Sequence, residues 1–168
     1  MSTFQIETNR LILRELSTDD ALDFYNLNLN PKVVQYTGDS SFKSVQHALI
    51  FLQQYTPYKD YGYGRWAVIE KSTNTFIGWC GLKYHDEGYV DLGFRFFEEQ
   101  WGKGFATESS KACIKYAKTT LNLSHLIGRV HPKNIASINV LKKLGFKVYK
   151  TGECNGINNS IYYKLPLN

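Results

Sequence analysis

Apolar positions recur along the chain with two periods, and the switch between them lays out the elements. Residues 5–16 (QIETNRLILREL) alternate around Leu11, Leu13 and Leu16, the period of a first strand. Ser17 to Asp20 then form a capping-box-like helix start, with Asp where Glu or Gln is usual. Ala21, Phe24, Tyr25 and Leu29 follow at helical spacing, and Asn30-Pro31 ends that helix because the residue before a proline avoids the helical region. Residues 33–39 read as a connector. Residues 42–55 carry Val45, Leu49 and Leu52 on one stripe and predict a second helix. The next stretch, 55–63 (YTPYKDYGY), has four tyrosines and no period. It is either a surface loop or an aromatic wall of a binding pocket.

Three strands are predicted in succession at 65–71, 76–84 and 89–97, with the turns 72–74 and 85–88 between them. Such short turns imply antiparallel pairing. A glycine loop and a helix running to about Asn122 come next, then a strand at 125–130. Asn134 opens a further helix with Ile135, Ile138, Leu141 and Leu144 on one face, closed by Gly145. Residues 146–150 and 161–165 finish as strands. This order predicts an α/β protein with one mixed sheet and helices on both faces.

Composition adds limits. A chain of 168 residues suits one domain, here 1–168, with 43% hydrophobic and 21% charged residues. The net charge of +5 admits an acidic ligand, but there is no dense Lys/Arg run and no zinc-finger or RNA-binding signature, so nucleic acid is not the expected partner. Cys80, Cys113 and Cys154 lie far apart, an odd set without the spacing of a disulfide framework or a zinc site. His47, His85, His125 and His131 are scattered without metal-ligand spacing, and no metal is expected. No basic-then-apolar leader and no run of about 18 apolar residues is present. The expectation is a soluble cytoplasmic protein that does not engage a membrane, as a monomer or homodimer.

The chemistry concentrates in residues 89–122. A strand that runs into a glycine loop and then a helix start offers unpaired N–H groups and a partial positive charge to an anion. Gly102 and Gly104 remove Cβ atoms that would hold a ligand off the backbone. A pyrophosphate fits such a site. The nucleotide-binding alternative fails, because no GxxxxGK[ST] occurs and the loop does not follow the first strand.

The loop Trp101-Gly-Lys-Gly-Phe-Ala-Thr-Glu108, with Asn134-Ile-Ala-Ser137 and Lys143-Leu-Gly-Phe146 downstream, resembles the GNAT superfamily of acetyl-CoA-dependent N-acetyltransferases. With Thr8-Asn-Arg-Leu-Ile-Leu-Arg14 at the start, it looks most like the ribosomal-protein N-terminal acetyltransferases. The superfamily loop is Gln/Arg-x-x-Gly-x-Gly/Ala; here Trp101, Gly104 and Ala106 take its first, fourth and sixth positions. The resemblance implies the GNAT fold, whose mostly antiparallel sheet splays at the fourth strand. It implies that N–H groups of Trp101, Gly102, Lys103, Gly104, Phe105, Ala106 and Thr107 cradle the pyrophosphate of acetyl-CoA. It implies further that the pantetheine arm pairs with the strand edge at Phe94, Arg95 and Phe96, with Asn134 and Ser137 also at the cofactor.

Acyl transfer to an amine needs a proton acceptor, stabilisation of an oxyanion and a leaving thiolate. Direct attack needs no enzyme nucleophile, so Cys80 and Cys113 have no expected role, and Cys113 belongs to the packed face of the central helix. The resemblance offers Asp91 as base, acting directly or through water; a pairing of Asp91 with a nearby Arg or Lys is the equal alternative. Glu108 sits at a helix start, where the dipole alone favours it, and is assigned a structural role. The tyrosine acid of many relatives is replaced by Leu141, and the subfamily implies Ser137 as acid, against a plain role in helix capping with Asn134. The acceptor is a protein N-terminus, as the subfamily implies, or a small amine such as an antibiotic, polyamine or amino acid. A non-catalytic acyl-CoA-binding module is the remaining alternative.

Overall fold

The computed structural model describes residues 3–168, so the first two residues of the expected domain lie outside it. Eight strands form one sheet in the order β1-β2-β3-β4-β5-β6-β8-β7. They are β1 (Gln5–Glu7), β2 (Leu11–Glu15), β3 (Arg65–Glu70), β4 (Thr75–His85), β5 (Tyr89–Phe96), β6 (His125–Val130), β7 (Lys147–Cys154) and β8 (Ile157–Pro166). All neighbours are antiparallel except β5 and β6, which run parallel and meet at Asp91 and Ile127. Beyond that point β4 continues to follow β5 as far as Phe96 while β6 diverges. The sheet therefore splays where the resemblance placed the splay.

Strand alternation sends side chains to two faces. Trp66 and Val68 of β3 go to one face with Leu82 and Leu92, where Phe105, Cys113 and Ala117 of helix α5 (Phe105–Thr119) cover them. Ala67 and Ile69 go to the other face, under α1 (Ala21–Leu27) and α3 (Val45–Gln53). Cys80 and Cys113 face each other across the first core with sulfurs 3.7 Å apart, both fully buried. Cys113 packs as expected.

Four segments differ from the expected elements, each for a local reason. The single strand predicted over 5–16 is a hairpin, because Thr8 closes a turn: Leu11 N donates to Thr8 Oγ1 at 3.0 Å and Thr8 N donates to Leu11 O at 2.9 Å. Asn30-Pro31 ends one helix and starts another, α2 (Pro31–Val34). Asn30 accepts from Lys32 N at 2.9 Å, and the missing N–H of Pro31 falls where no helical partner exists anyway. Part of the tyrosine-rich loop is a short helix, α4 (Pro57–Tyr61), closed by Gly62 at φ +78°. The last two strands are longer than predicted and form one hairpin through Asn155-Gly156, both at positive φ. Asn-Gly is the strongest short-range hairpin signal, and it was legible in the sequence.

Candidate active site

Helix α5 begins at the glycine loop. Gly104, its N-cap, stands at φ +82° and Gly102 at φ +73°, a region that side chains disfavour. A Cβ on Gly102 would meet nothing within 4 Å, so this backbone is open to a ligand. The loop is braced on two sides. Trp101 Nε1 donates to Phe96 O at 3.0 Å, tying the loop to the end of β5. Arg10, in the β1–β2 turn, donates from Nη1 to Lys103 O at 3.0 Å and lies over the Phe105 ring at 4.4 Å. Glu108 locks Arg10 in place: it accepts from Arg10 Nε at 2.7 Å, from Arg10 N at 3.0 Å and from the Thr8 hydroxyl at 2.6 Å. Glu108 is thus a strut between the first hairpin and α5, in keeping with its structural assignment.

A cavity of about 580 Å³ opens in front of this loop. Phe94, Arg95 and Phe96 form one wall, and Trp101, Gly102, Gly104, Phe105, Ala106 and Thr107 form the floor. Helix α6 (Ile135–Lys143) supplies the opposite side, including Ser137, with Asn134 at its N-cap. Asn134 Oδ1 accepts from Ser137 N at 3.2 Å, so the capping role of this pair is present. Lys103 does not line the cavity; its ammonium donates to Gln100 Oε1 at 3.1 Å.

A second cavity, about 690 Å³, lies beside the first over the charged face of β3–β6. Both volumes are ordinary for small-molecule sites. The two cavities share Tyr36, Thr37, Phe94, Arg95, Asn134 and Ser137. That common wall stands at the splay of β5 and β6, where one ligand can reach another.

Asp91 lies in the second cavity, 3% exposed. Its Oδ2 is 2.6 Å from His85 Nε2 and 3.1 Å from Arg129 Nη2. Its Oδ1 is 2.6 Å from Arg65 Nη2, an ion pair whose angles fall outside hydrogen-bond geometry. Burial opposes the charge on Asp91, but Arg65, His85 and Arg129 outweigh it and hold the carboxyl well below the usual carboxylate range. Of the two readings of Asp91, base or partner of a cation, this geometry is that of the partner. Two guanidinium charges beside the carboxylate hold it ionised and lower its basicity.

Register explains why these groups meet. Lys83 pairs with Asp91, Gly81 with Gly93 and Arg65 with Gly81. The Arg65 guanidinium lies flat over Gly93, where a Cβ would come within 2.8 Å of it. Arg65 Nη1 donates to Gly81 O at 2.8 Å, and its guanidinium carbon stands 4.9 Å from the centre of the Trp79 ring. The glycines thus make room for the arginine that holds Asp91. His85 stacks on Tyr89 at 4.8 Å, which fixes the ring against Asp91.

The sequence does not single out Arg65 or Arg129; it admits His85, like the other histidines, as a base, but the motifs place none of them at the thioester. His85 was placed in a turn, whereas β4 runs on to include it. The alternation Trp79, Gly81, Lys83, His85 was the signal that could have placed it on the face of Asp91. Of residues 55–63, Tyr55 and Pro57 line the second cavity, and the other three tyrosines do not. Tyr55 and Tyr58 also bind the entry to β3: Arg65 N donates to Tyr55 Oη at 2.8 Å, and the Tyr58 hydroxyl donates to Arg65 O. Leu141 is buried at 3% exposure against Gly128, so no tyrosine hydroxyl occupies that position.

Comparison with known proteins agrees with this arrangement. Residues 10–147 match the family model described as an acetyltransferase (GNAT) domain. The chain is 33% identical over 143 residues to an uncharacterized N-acetyltransferase, p20, of Bacillus licheniformis, covering 83% of this chain and 80% of that one. Its fold is similar to that of a GNAT-family acetyltransferase from Bacillus anthracis, with a TM-score of 0.82 at 22% identity over 98% and 99% of the two chains. It is also similar to RimL, a ribosomal-protein alpha-N acetyltransferase solved in complex with coenzyme A, with a TM-score of 0.84 at 16% identity over 98% of each chain. With its splayed sheet, glycine loop and matching family model, the chain belongs to the GNAT family of acetyl-CoA-dependent N-acetyltransferases.

Proposed function

We propose that the chain moves an acetyl group from acetyl-CoA to a primary amine by direct attack, across the wall shared by its two cavities. The observation that carries this reading is that shared wall: Phe94, Arg95, Asn134 and Ser137 border both spaces. Acetyl-CoA occupies the smaller cavity. Its pyrophosphate lies on the N–H groups of 101–107 at the start of α5, and its pantetheine arm lies along the β5 edge at Phe94, Arg95 and Phe96, which β6 leaves free. Asn134 and Ser137 approach the arm from the other side. The amine enters through the larger cavity.

His85 takes the proton of the attacking amine, and Asp91 is its positioning residue. The 2.6 Å contact from Nε2 to Oδ2 fixes the ring and stabilises the imidazolium that forms. As the nitrogen–carbon bond forms, the carbonyl oxygen gains negative charge. The intermediate then collapses, the carbon–sulfur bond breaks and CoA leaves as the thiolate. An ordinary thiol has a pKa of about 8.5, so modest hydrogen-bonding help from the Ser137 hydroxyl is enough. No covalent enzyme intermediate and no metal enters this scheme.

The reading is tested by thiol release from acetyl-CoA with a panel of primary amines, alongside calorimetric titration with CoA. Turnover of at least one amine, with the amide identified by mass, is the expected result. Tight CoA binding with no turnover on any amine would sink the enzyme reading in favour of an acyl-CoA-binding module.

A further inference from the structure

The larger cavity carries more positive than negative charge. Arg65, Lys83, Arg95 and Arg129 line it against the carboxylates of Asp39 and Asp91. Both carboxylates are already engaged. Asp91 is held by Arg65, Arg129 and His85, and Asp39 accepts from Arg95 Nη2 at 2.7 Å and from Asn155 Nδ2 at 2.9 Å. The one carboxylate oxygen here without a hydrogen bond, buried Asp91 Oδ1, lies 2.6 Å from Arg65 Nη2, so a polyamine or an aminoglycoside meets net repulsion. The spare capacity is on the donor side. Arg129 Nε is buried and has no hydrogen-bond partner, a state that is costly unless an acceptor arrives. Lys83, opposite Asp91 in the register, makes no ion pair among the described residues.

The placement of these donors sets a distance. Arg129 Nη2 and His85 Nε2 lie 3.1 and 2.6 Å from the same oxygen, Asp91 Oδ2. Arg129 and His85 are therefore neighbours on one carboxylate, and with Nε2 held by Asp91 the amine meets the other ring nitrogen, Nδ1, of His85. A guanidinium with a free N–H matches a planar carboxylate, in side-on geometry, better than a single point donor does.

The cavity is also bridged. Asn155, in the β7–β8 turn, donates from Nδ2 to Thr37 O at 2.7 Å as well as to Asp39. A Cβ on Gly38, at φ +72°, would come within 2.3 Å of Asn155 O, so the two segments are in close backbone contact. Tyr36 packs on His131 with ring centres 4.9 Å apart. The segment 36–39 thus joins β5 to the last hairpin along the wall of this cavity, and a peptide acceptor would have to pass beside it.

We propose that the acceptor is a small amine bearing a carboxylate close to the amino group, of amino-acid size, whose carboxylate is received by Arg129 and Lys83. The proposal rests on the acetyltransferase reading above and narrows it: it favours a free amino acid over a protein N-terminus or a polyamine.

The test compares kcat/KM for acetylation of the standard amino acids, their decarboxylated amines, spermidine and a tetrapeptide amide. The best amino acid should exceed its decarboxylated partner by at least tenfold, about 1.4 kcal/mol of discrimination. Arg129→Gln should bring that ratio close to one, chiefly by lowering the rate on the amino acid, and Arg129→Lys should restore part of it. Lys83→Gln, on an exposed side chain whose loss leaves the fold intact, should reduce the same ratio. A merely structural Arg129 would lower both rates together and leave the ratio unchanged. Parity between amino acid and decarboxylated amine, or a faster peptide or spermidine, overturns the proposal while leaving the acetyltransferase reading standing. Absence of thiol release with every amine overturns both.

Discussion

Asp91 shows how far a single residue can be read before its neighbours are known. An acidic side chain inside a strand signals use or pairing; here the structure shows pairing, and the proposed use is at one remove, through His85. Both Asp91→Asn and His85→Gln should lower kcat by about 10²–10⁴, leaving the KM for acetyl-CoA near its original value, because neither side chain lines the donor cavity. Steady-state kinetics with the acceptor saturating checks this; a raised KM for acetyl-CoA with an unchanged kcat would place the chemistry elsewhere. Asp91→Asn should also destabilise the fold by about 3 kcal/mol at neutral pH, since it leaves two partly buried guanidinium groups uncompensated. The sign with pH follows from the depressed Asp91 value. Its contribution is complete above the unfolded carboxylate value of about 3.9 and is lost as pH falls through the lower folded value. The gap in Tm between the original chain and Asp91→Asn should therefore hold from pH 7 to pH 5 and narrow below about pH 4. A gap that narrows instead as pH rises would contradict the ion-pair assignment.

At the scale of elements, β5, the glycine loop and α5 act as one unit. The strand end, Trp101, the two positive-φ glycines and the helix start are joined by local hydrogen bonds, and the first hairpin supports them through Arg10 and Glu108. Gly104→Val tests this unit. A β-branched residue at φ +82° is strained, and its side chain stands at the proposed pyrophosphate site. On the protein side there is room, since the atom nearest to a Cβ there is Arg10 Nη2 at 3.5 Å. CoA affinity measured by calorimetry should fall more than tenfold. Wild-type affinity would mean that the phosphates lie off the loop. Much of this unit was legible beforehand because its signals are local: glycine spacing, the helix N-cap and strand period all lie within 34 consecutive residues, 89–122. The hairpin at β1–β2 was less legible. Its turn is closed by a threonine without glycine or proline, and the carboxylate that fixes it lies a hundred residues away in Glu108.

For the molecule as a whole, the acceptor side is built from segments distant in sequence. Asn155 joins the end of the chain to 37–39, and Arg95 joins 39 to the middle of the sheet. Asn155→Ala removes two hydrogen bonds worth about 1 kcal/mol each. Hydrogen–deuterium exchange should then speed up by about tenfold or more at the amides of 36–40, while the amides of α5 keep their protection. Unchanged exchange at 36–40 would show that the bridge is held by other contacts. Among the described residues, no helix is long and apolar enough to cross a membrane, and no group of three or more metal-ligating side chains occurs.

By itself the sequence determined the donor half of this protein. Helix caps, glycine positions and strand period are set by neighbours along the chain, and the backbone proposed to hold a pyrophosphate follows the course those signals dictate. The tertiary structure decided the proposed acceptor half. Arg65, His85, Asp91 and Arg129 come from four strands, β3, β4, β5 and β6, and only register brings their side chains to one carboxylate. Pairing across strands depends on which segments meet, and no local period encodes that. The charge of each residue was plain from the start; which charges cancel, and which N–H of Arg129 is left without a partner, is a property of the folded sheet.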